Sequence, residues 1–360
     1  ENYSFLFYKT AVIRILMLIS IFAFVRDEHD IIIYTLIMAL STALNYVISY
    51  FWIKKDVKFV RIKIRDLKPL ILPLLAMLLF ANANMLYTFL DRIFLVKAGE
   101  SIYVTYYTMS QRLVTVLAGV ITGAIGVSLP RLGYYLGNND HESYTYLVNK
   151  GSRVFNFFII PLSFGLTLLG PHAILLYGSE KYVAAGTLTS LFAFRTIISA
   201  LDTILGSQIL FVNGFEKRIT LYTLCTGILN LIMNFLLFYN NIFKPEFYLI
   251  TTIISEIVLL IIYILFINKK KLFNLKNIFK YTLKYSLFSS TFLLVYFIVN
   301  YIYPAELVIN LRFLINTASI ILLSICSYII VLSINRDSVF LELLNNLLAL
   351  KNKFIKNRRS

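Results

Sequence analysis

Seven ionisable side chains lie inside long apolar stretches of this sequence, and their types indicate the binding of an anion. They are Arg14, Asp91, Arg92, Arg112, Arg195, Asp202 and Glu256. A charge in the hydrocarbon core of a bilayer is costly, so such residues normally face a bundle interior or a watery path. Arginines outnumber carboxylates in this set, and a guanidinium binds phosphate or pyrophosphate through two parallel N–H bonds. The set therefore predicts a cavity that receives an anionic ligand of this kind.

Arg112 is the first candidate for contact with that anion. It lies in a Gly-rich apolar stretch, 103–129, which predicts a helix that ends at Leu129-Pro130. At 1.5 Å rise per residue, a position a third of the way along the helix lies roughly 12 Å below the membrane surface. The GxxxG spacing at 119–123 predicts close helix packing, with bending or sliding of the helix as the weaker alternative.

Two further groups of candidates follow. Arg195 and Glu256 are deep within their stretches, and we expect both to line the cavity. Asp91 and Arg92 lie toward the outer end of a helix, where neighbouring positions point about 100° apart, so the two cannot pair with each other. A cap or an interhelical salt bridge is the alternative role for them.

Arg14 and Asn84 complete the candidate site. Arg14 is a cavity residue or a residue that extends its charge to the inner membrane face. Asn84, together with Asn82, places an amide in an apolar helix, where it can bond a sugar or a neighbouring helix. Asp202, near the inner end of its stretch, is assigned a structural role instead.

Composition places these residues in a membrane protein. The chain has 360 residues, of which 59% are hydrophobic and 14% charged, against about 25% charged in soluble domains. Apolar runs of about 20 residues, the length that crosses a bilayer, recur throughout. The fold class is therefore an all-α, polytopic transmembrane bundle. Because the chain begins with Glu1 and shows no signal-peptide pattern, we expect it to be a fragment whose true N-terminus is missing.

Ten membrane spans are predicted, and the loops between them alternate in charge. The basic loops, such as 54–68 and 269–280, place both ends of the chain in the cytoplasm by the positive-inside rule. The same clustering explains the net charge of +16 without nucleic acid as a partner. The predicted spans are 5–25, 31–53, 69–96, 103–129, 154–170, 184–210, 219–238, 247–268, 281–303 and 312–334.

The loops also suggest an organisation into lobes. We predict the last two helices of an N-terminal lobe at 1–53, a basic cytoplasmic linker at 54–68, a six-helix lobe at 69–268, two appended helices at 269–335 and an amphipathic basic cytoplasmic tail at 336–360. The tail has an apolar face and lysines near its end, which is typical of a helix on the inner leaflet. The stretch 140–153 is predicted to lie on the membrane in the same way, with Asp140 as its N-cap.

Cysteine and histidine patterns add no metal or cofactor. Cys225 and Cys326 fall in apolar spans and are predicted to be small buried hydrophobic residues. The three histidines are scattered, and no Cys/His ligand spacing is present. We expect neither a cofactor nor a metal.

Several segments, taken in order, resemble a known family. They are LDRIFL, a short turn, YYTMSQRL, a Gly-rich apolar helix, SLPRL, then LLYGSEKYVAAGTL and ILFVNGFEKR. This order is similar to that of the polysaccharide transporter family in the multidrug/oligosaccharidyl-lipid/polysaccharide exporter superfamily. The resemblance implies that the chain is the last ten of fourteen spans in a two-lobe, inverted-V bundle. Four helices of the first lobe would then be absent, and we expect the fragment alone to be inactive.

The resemblance also implies a function. Members flip polyprenyl-pyrophosphate-linked oligosaccharides of O-antigen or capsule across the bacterial cytoplasmic membrane by alternating access. Partners would be this cargo, the bilayer and further export components such as a glycan polymerase. In a related flippase, a cavity-facing arginine lies in an ADRL segment on a helix ending in LP, and SQRL places Arg112 at that position, with Gln in place of Asp. Membrane potential and ion coupling both stay open as energy sources.

Three other functions are weighed against this one. A membrane glycan polymerase, ligase or acyltransferase would need a large outer loop or clustered catalytic groups, whereas the longest outer loop here, 171–183, has no paired carboxylates. A multidrug exporter of the same superfamily would favour carboxylates for cationic drugs. A scaffold would need no deep charges. We therefore expect a transporter and not an enzyme.

Overall fold

The structure, a computed structural model, describes residues 3–55, 57, 63–97 and 101–357. The side chains of 76–86 and 350–357 are outside this description. The described residues form helices and connecting turns, without a strand. The all-helical fold predicted from the apolar runs is therefore confirmed.

The helices follow the apolar runs of the sequence closely. They are α1 (Tyr3–Phe24), α2 (Ile31–Ile53), α3 (Ile64–Lys97), α4 (Ser101–Gly137), α5 (His141–Leu168), α6 (Gly170–Gly178), α7 (Gly186–Asp202), α8 (Glu216–Tyr239), α9 (Pro245–Lys270), α10 (Lys276–Ser289), α11 (Thr291–Ile302), α12 (Leu311–Ile334) and α13 (Ser338–Asn357). Short 3₁₀ turns lie at Glu28–Asp30 and Glu180–Ala185. A π-helical segment, Thr203–Phe211, continues α7 without a break.

Eight of the described helical stretches are long and apolar enough to cross a membrane, which makes this a multi-pass membrane protein. They correspond to α1, α2, α5, α7 with its π-helical continuation, α8, α9, the α10–α11 pair and α12. The other two predicted spans are the helices α3 and α4, which run for 34 and 37 residues but fall outside this set. Ten spans with both ends in the cytoplasm stays a prediction.

The predicted end of α4 at Leu129-Pro130 is wrong. Pro130 lies inside the helix, which continues to Gly137. A proline in a helix lacks an N–H, and its ring crowds the carbonyl four residues earlier. That earlier residue is Gly126, and the Ser128 hydroxyl donates to the nearby Ile125 carbonyl at 2.7 Å. Hydroxyl bonds of this kind allow membrane helices to continue past a proline.

The stretch 140–153 is also not a separate surface helix. It is the first part of α5, which runs without interruption from His141 to Leu168. The predicted N-cap is confirmed, because the Asp140 carboxylate accepts a bond from the Ser143 N–H at 3.0 Å. Bonds from Ser143 hold the pKa of Asp140 below its ordinary value. One face of this first part is buried against other helices at Tyr144, Val148 and Ser152 while Glu142 and Thr145 are exposed, which accounts for its amphipathic pattern.

The chain divides into two compact units, Glu1–Leu72 and Pro73–Ser360. In the first unit α1 packs against α2. Phe5 stacks on Trp52 with ring centroids 3.9 Å apart, and the Lys9 ammonium bonds the Asn45 carbonyl at 3.1 Å and the Ser49 hydroxyl. α3 begins in the first unit and ends in the second. The predicted lobe and linker boundaries stay predictions.

The second unit is built around α5, α7 and α9. α5 packs against α4, α7 and α10, while α7 also packs against α6 and α9, and α8 lies along α9. α11 and α12 form a pair beside α10 and α5. The core is continuous and includes fully buried Leu188, Ile204, Leu249 and Tyr263. Large apolar side chains cover the outer faces of these helices, as expected where they meet lipid.

α6 and α7 cross with their backbones almost in contact. A Cβ added at Gly170 would lie 2.7 Å from the Gly186 carbonyl oxygen, and one added at Gly186 would lie 2.7 Å from the Pro171 Cα. Only residues without a side chain fit both positions. The two glycines therefore fix the bend that leads from α5 into α7.

α13 is fastened at its start by Asp337, whose side chain is fully buried. The carboxylate pairs with Lys284 of α10 at 2.5 Å and with Arg153 of α5 at 3.3 Å, and it accepts a bond from the Tyr285 hydroxyl at 3.2 Å. It also caps α13 by accepting from the Val339 N–H at 2.9 Å. Burial acts to raise the pKa of Asp337, but its bonded donors and cationic partners lower that pKa below its ordinary value.

Cys225 and Cys326 are free and exposed, so the prediction that they are buried is wrong. They lie on outward faces of α8 and α12, where a thiol meets lipid as readily as a small apolar side chain does.

Candidate functional site

Arg112 lies on the open face of α4, about 16 Å along the axis from Ser101 at 1.5 Å per residue. The opposite face is buried and carries Tyr107, Val114 and Ala118. The Arg112 side chain is exposed and has no hydrogen bond or ion pair among the residues that the structure describes. Its guanidinium is therefore available to an external anion.

The face that carries Arg112 is a stripe of polar and small residues. Helical spacing aligns Arg112 with Thr115, Gly119, Gly123 and Gly126. A Cβ added at any of these glycines would meet no described atom within 4 Å. The close helix packing predicted from the GxxxG spacing is thus not present among the described residues. No described residue packs on the glycines of this face of α4.

Arg195 and Glu256 bind each other rather than facing open space. The Arg195 Nε and Nη2 atoms donate to the two Glu256 carboxylate oxygens at 2.9 and 2.5 Å, joining α7 to α9. Their side chains are only 14% and 8% exposed. A planar guanidinium and a carboxylate match in this two-bond geometry, which neutralises both charges. Their predicted contact with cargo stays a prediction.

Asp91 is the centre of a buried polar network where the last turns of α3 and α8 meet the first turns of α4 and α9. Its Oδ2 accepts bonds from the Tyr107 hydroxyl at 2.5 Å and the Thr252 hydroxyl at 2.7 Å. Its Oδ1 accepts a bond from the Asn234 amide at 2.6 Å. One carboxylate thereby joins four helices, and its three donors compensate for its removal from water.

The network continues through amides and hydroxyls on α8 and α9. The Asn230 amide donates to the Thr251 and Thr252 hydroxyls at 3.3 and 3.2 Å, and the Thr251 hydroxyl donates to Asn234 at 2.5 Å. Our sequence reasoning missed these residues. Two asparagines four apart in an apolar span, facing a Thr-Thr pair in the next, were the available signal, since buried amides need partners.

A second cluster of hydroxyls lies one helical turn further along α3 and α8. The Tyr87 hydroxyl contacts the Thr226 hydroxyl at 2.6 Å and donates to the Thr223 carbonyl at 3.1 Å. The Thr223 hydroxyl lies 3.4 Å from that of Tyr263 on α9. The interior of the second unit therefore carries polar groups along much of its length.

The remaining predicted residues lie apart from these groups. Arg92 points away from Asp91, and its Nε donates to the Thr88 carbonyl at 3.2 Å on its own helix. Arg14 is exposed on α1 in the first unit, where its nearest polar contact is the Met17 sulfur at 3.5 Å. Asn84 falls within α3, but its side chain lies outside the described residues.

The chemistry available at Arg112 is the binding of an anion through a guanidinium. The described residues contain no group of three or more His, Cys, Asp or Glu side chains that could hold a metal ion. Arg112 adds a cation without a described partner on an open, glycine-lined face, and the interior behind it holds the hydrogen-bonded Asp91 and the Arg195–Glu256 pair.

Comparisons with known proteins give the family and the fold of the chain. A family model described as polysaccharide biosynthesis protein matches residues 4–187. A solved structure of the lipid II flippase MurJ, in an inward closed conformation, superimposes with a TM-score of 0.66. The match has 15% sequence identity and covers 90% of this chain and 67% of that one, so it shows a shared fold. Among curated proteins, no match is found.

Proposed function

Because the chain belongs to the family of polysaccharide biosynthesis proteins, we propose that it is part of a flippase for lipid-linked oligosaccharides. Its cargo would be undecaprenyl-pyrophosphate-linked repeat units of an O-antigen or capsule, carried across the bacterial cytoplasmic membrane. The fold shared with a lipid II flippase supports movement of a lipid-linked saccharide in general. Other export components, such as a glycan polymerase, would receive the cargo outside.

The observation that carries the proposal is the unpaired Arg112 on the glycine-lined face of α4. A helix face that met lipid alone would be expected to carry large apolar side chains and no deep charge. A pyrophosphate headgroup would gain charge-assisted bonds from Arg112 that replace part of its lost hydration. The glycines beyond it leave room for bulky sugars to pass along the helix.

The surroundings of Arg195 also favour Arg112 as the contact for the headgroup. Arg195 is neutralised by Glu256, so an incoming pyrophosphate would have to displace a carboxylate to reach it. Arg112 offers its charge without that competition. A multidrug exporter of the same superfamily is the alternative function, and an unpaired arginine disfavours it because most of its substrates would be cationic.

The test is rescue of glycan export by the complete gene product in a bacterium whose own flippase is deleted. Wild type, Arg112→Ala and Arg112→Lys would be compared at matched membrane levels. Surface glycan and inner-leaflet lipid-linked repeat units are measured. We expect wild type to restore surface glycan, Arg112→Ala to lose at least tenfold of it while precursor accumulates inside, and Arg112→Lys to retain part.

Arg131→Ala is the matched control, because it removes an exposed arginine from the same helix. The Arg131 guanidinium bonds the Tyr135 hydroxyl at 3.0 Å and lies over that ring, so it is already partnered. Export at the wild-type level by Arg112→Ala would remove the headgroup role. Equal loss in both variants would indicate a general charge effect on α4 instead.

A further inference from the structure

A cleft of about 450 Å³ lies between one end of α8 and one end of α9, remote in sequence from the Arg112 stripe. Its walls come from the first turns of α8 and the last turns of α9. They are Arg218, Tyr222, Ile262, Leu265, Phe266, Lys269 and Lys270. The cleft has two parts of different chemistry, a basic rim and an apolar floor.

The rim consists of three exposed cations, Arg218, Lys269 and Lys270. None of them has an ion pair or hydrogen bond within the described part of the chain. The nearest acid in the sequence, Glu216, is two positions before Arg218 and so points to another side of α8. The rim therefore carries an uncompensated positive charge.

The floor lies one helical turn inward from the rim on both helices. Tyr222 follows Arg218 by four residues, and Phe266 precedes Lys270 by four, so each pair lies on one helix face. The rings of Tyr222 and Phe266 contact edge to face with centroids 5.8 Å apart, and Phe215 packs on Phe266 at 5.1 Å. These contacts make the floor a rigid aromatic surface, which Ile262 and Leu265 extend.

We propose that this cleft is a binding site for an anionic phospholipid of the inner leaflet. The phosphate would lie against Arg218, Lys269 and Lys270, and the start of an acyl chain would lie against Tyr222, Phe266 and Leu265. Basic pockets between membrane helices at the cytoplasmic side bind anionic headgroups in this way. The proposal depends on the predicted orientation, which places this end of α8 and α9 inside.

The basic rim and the apolar floor together favour a phospholipid over a soluble anion. A free phosphate would use the rim alone and leave the apolar floor uncovered. A zwitterionic lipid would use the floor but bring its own cation close to three others. Only a lipid with a net negative headgroup satisfies both parts. Bound there, it would hold together the two helices that carry Asn230, Asn234, Thr251 and Thr252.

The test is native mass spectrometry of the complete gene product in detergent. Phosphatidylglycerol and phosphatidylcholine with identical acyl chains would be titrated separately, and phosphatidylglycerol again in the presence of inorganic phosphate. We expect a first phosphatidylglycerol to bind selectively. The triple variant Arg218→Gln/Lys269→Gln/Lys270→Gln should weaken it by about fivefold for each charge removed, since a basic residue near an anionic surface contributes about that factor.

Two variants control for general charge and for folding. Lys54→Gln/Lys55→Gln/Arg131→Gln removes three predicted inner-side charges outside the cleft and should bind as wild type. Lys269→Arg/Lys270→Arg keeps the charge and should also bind as wild type, and thermal unfolding of every variant is measured in parallel. Equal weakening by both triple variants, equal binding of phosphatidylcholine, or full displacement by inorganic phosphate would each overturn the proposal.

Discussion

At the scale of single residues, the positive charges of the second unit differ in what surrounds them. Arg195 is nearly buried and bound through two bonds to Glu256, whereas Arg112 is exposed without a described partner. Arg153 forms an ion pair with Asp337, and its guanidinium also lies over the Tyr281 ring, 5.4 Å from the ring centroid. Arginine therefore joins helices at two of these positions, and at the third it is a cation without a described partner.

The Arg195–Glu256 pair gives a prediction about stability. Glu256→Gln removes the carboxylate and leaves a guanidinium buried without its counter-charge, so we expect a loss of about 3–5 kcal/mol in unfolding free energy. The double variant Arg195→Met/Glu256→Leu removes both charges and should lose much less. Thermal unfolding in detergent measures both. A double variant as unstable as Glu256→Gln would show that the pair itself, and not the avoided bare charge, supplies the stability.

The candidate site could be predicted from the sequence only in part. An arginine in an apolar run can be recognised because its burial cost is large whatever surrounds it. Whether it meets a carboxylate depends on which helices become neighbours, and 61 residues separate Arg195 from Glu256. Asp91 stood out for the same reason, but its partners Tyr107, Asn234 and Thr252 are ordinary residues whose role arises from packing.

At the scale of helices, the sequence predicted positions better than ends. The predicted spans 31–53 and 312–334 match α2 and α12 to within one residue, whereas the helices at 103–129 and 154–170 extend well beyond one predicted bound. Two predicted bounds were wrong. α4 continues past Pro130, where an end was predicted, and α5 includes the stretch 140–153, which was predicted to be a separate helix. Both helices pack against other helices of the second unit, and such packing is not visible in a short window of sequence.

The crossing of α6 and α7 gives a prediction at this scale. Gly170→Ala places a Cβ 2.7 Å from both the Gly186 carbonyl oxygen and the Ser190 nitrogen, so the helices must separate. We expect about 1–3 kcal/mol of destabilisation, the usual range for overpacking. Gly165→Ala on α5 is the matched control, because its Cβ would meet no described atom within 4 Å. It should match or exceed wild-type stability in the same thermal unfolding assay. Equal melting temperatures for Gly170→Ala and Gly165→Ala would contradict the close approach of the α6 and α7 backbones.

At the scale of the whole molecule, the family match confirms that the chain belongs to the polysaccharide biosynthesis proteins, and the shared fold agrees with the predicted helical bundle. Apolar runs could predict the helical membrane fold, because the bilayer constrains length and composition over the entire chain. The family was recognised instead from ordered segments such as YYTMSQRL and SLPRL. The number of spans and the side on which the ends lie remain predictions. They depend on α3 and α4, which are long helices of mixed character.

Reporter fusions test that orientation. Alkaline phosphatase joined after Glu180 should be active, because the predicted outer loop 171–183 would carry it out of the cytoplasm. Green fluorescent protein joined after Asn274, in the predicted inner loop 269–280, should fluoresce. The physical reason is the excess of lysine and arginine in the inner loops. Inactive phosphatase after Glu180 together with a non-fluorescent protein after Asn274 would invert the topology and contradict the proposed inner-leaflet lipid site.

The fastening of α13 also has a consequence for biosynthesis. Arg153 and Lys284 are both synthesised before their shared partner Asp337, which follows α12 in the chain. Until then two basic side chains lack the carboxylate that they share in the finished fold. Docking of α13 therefore follows the synthesis of Asp337, and a chain truncated before that residue would leave Arg153 and Lys284 without the carboxylate that they share.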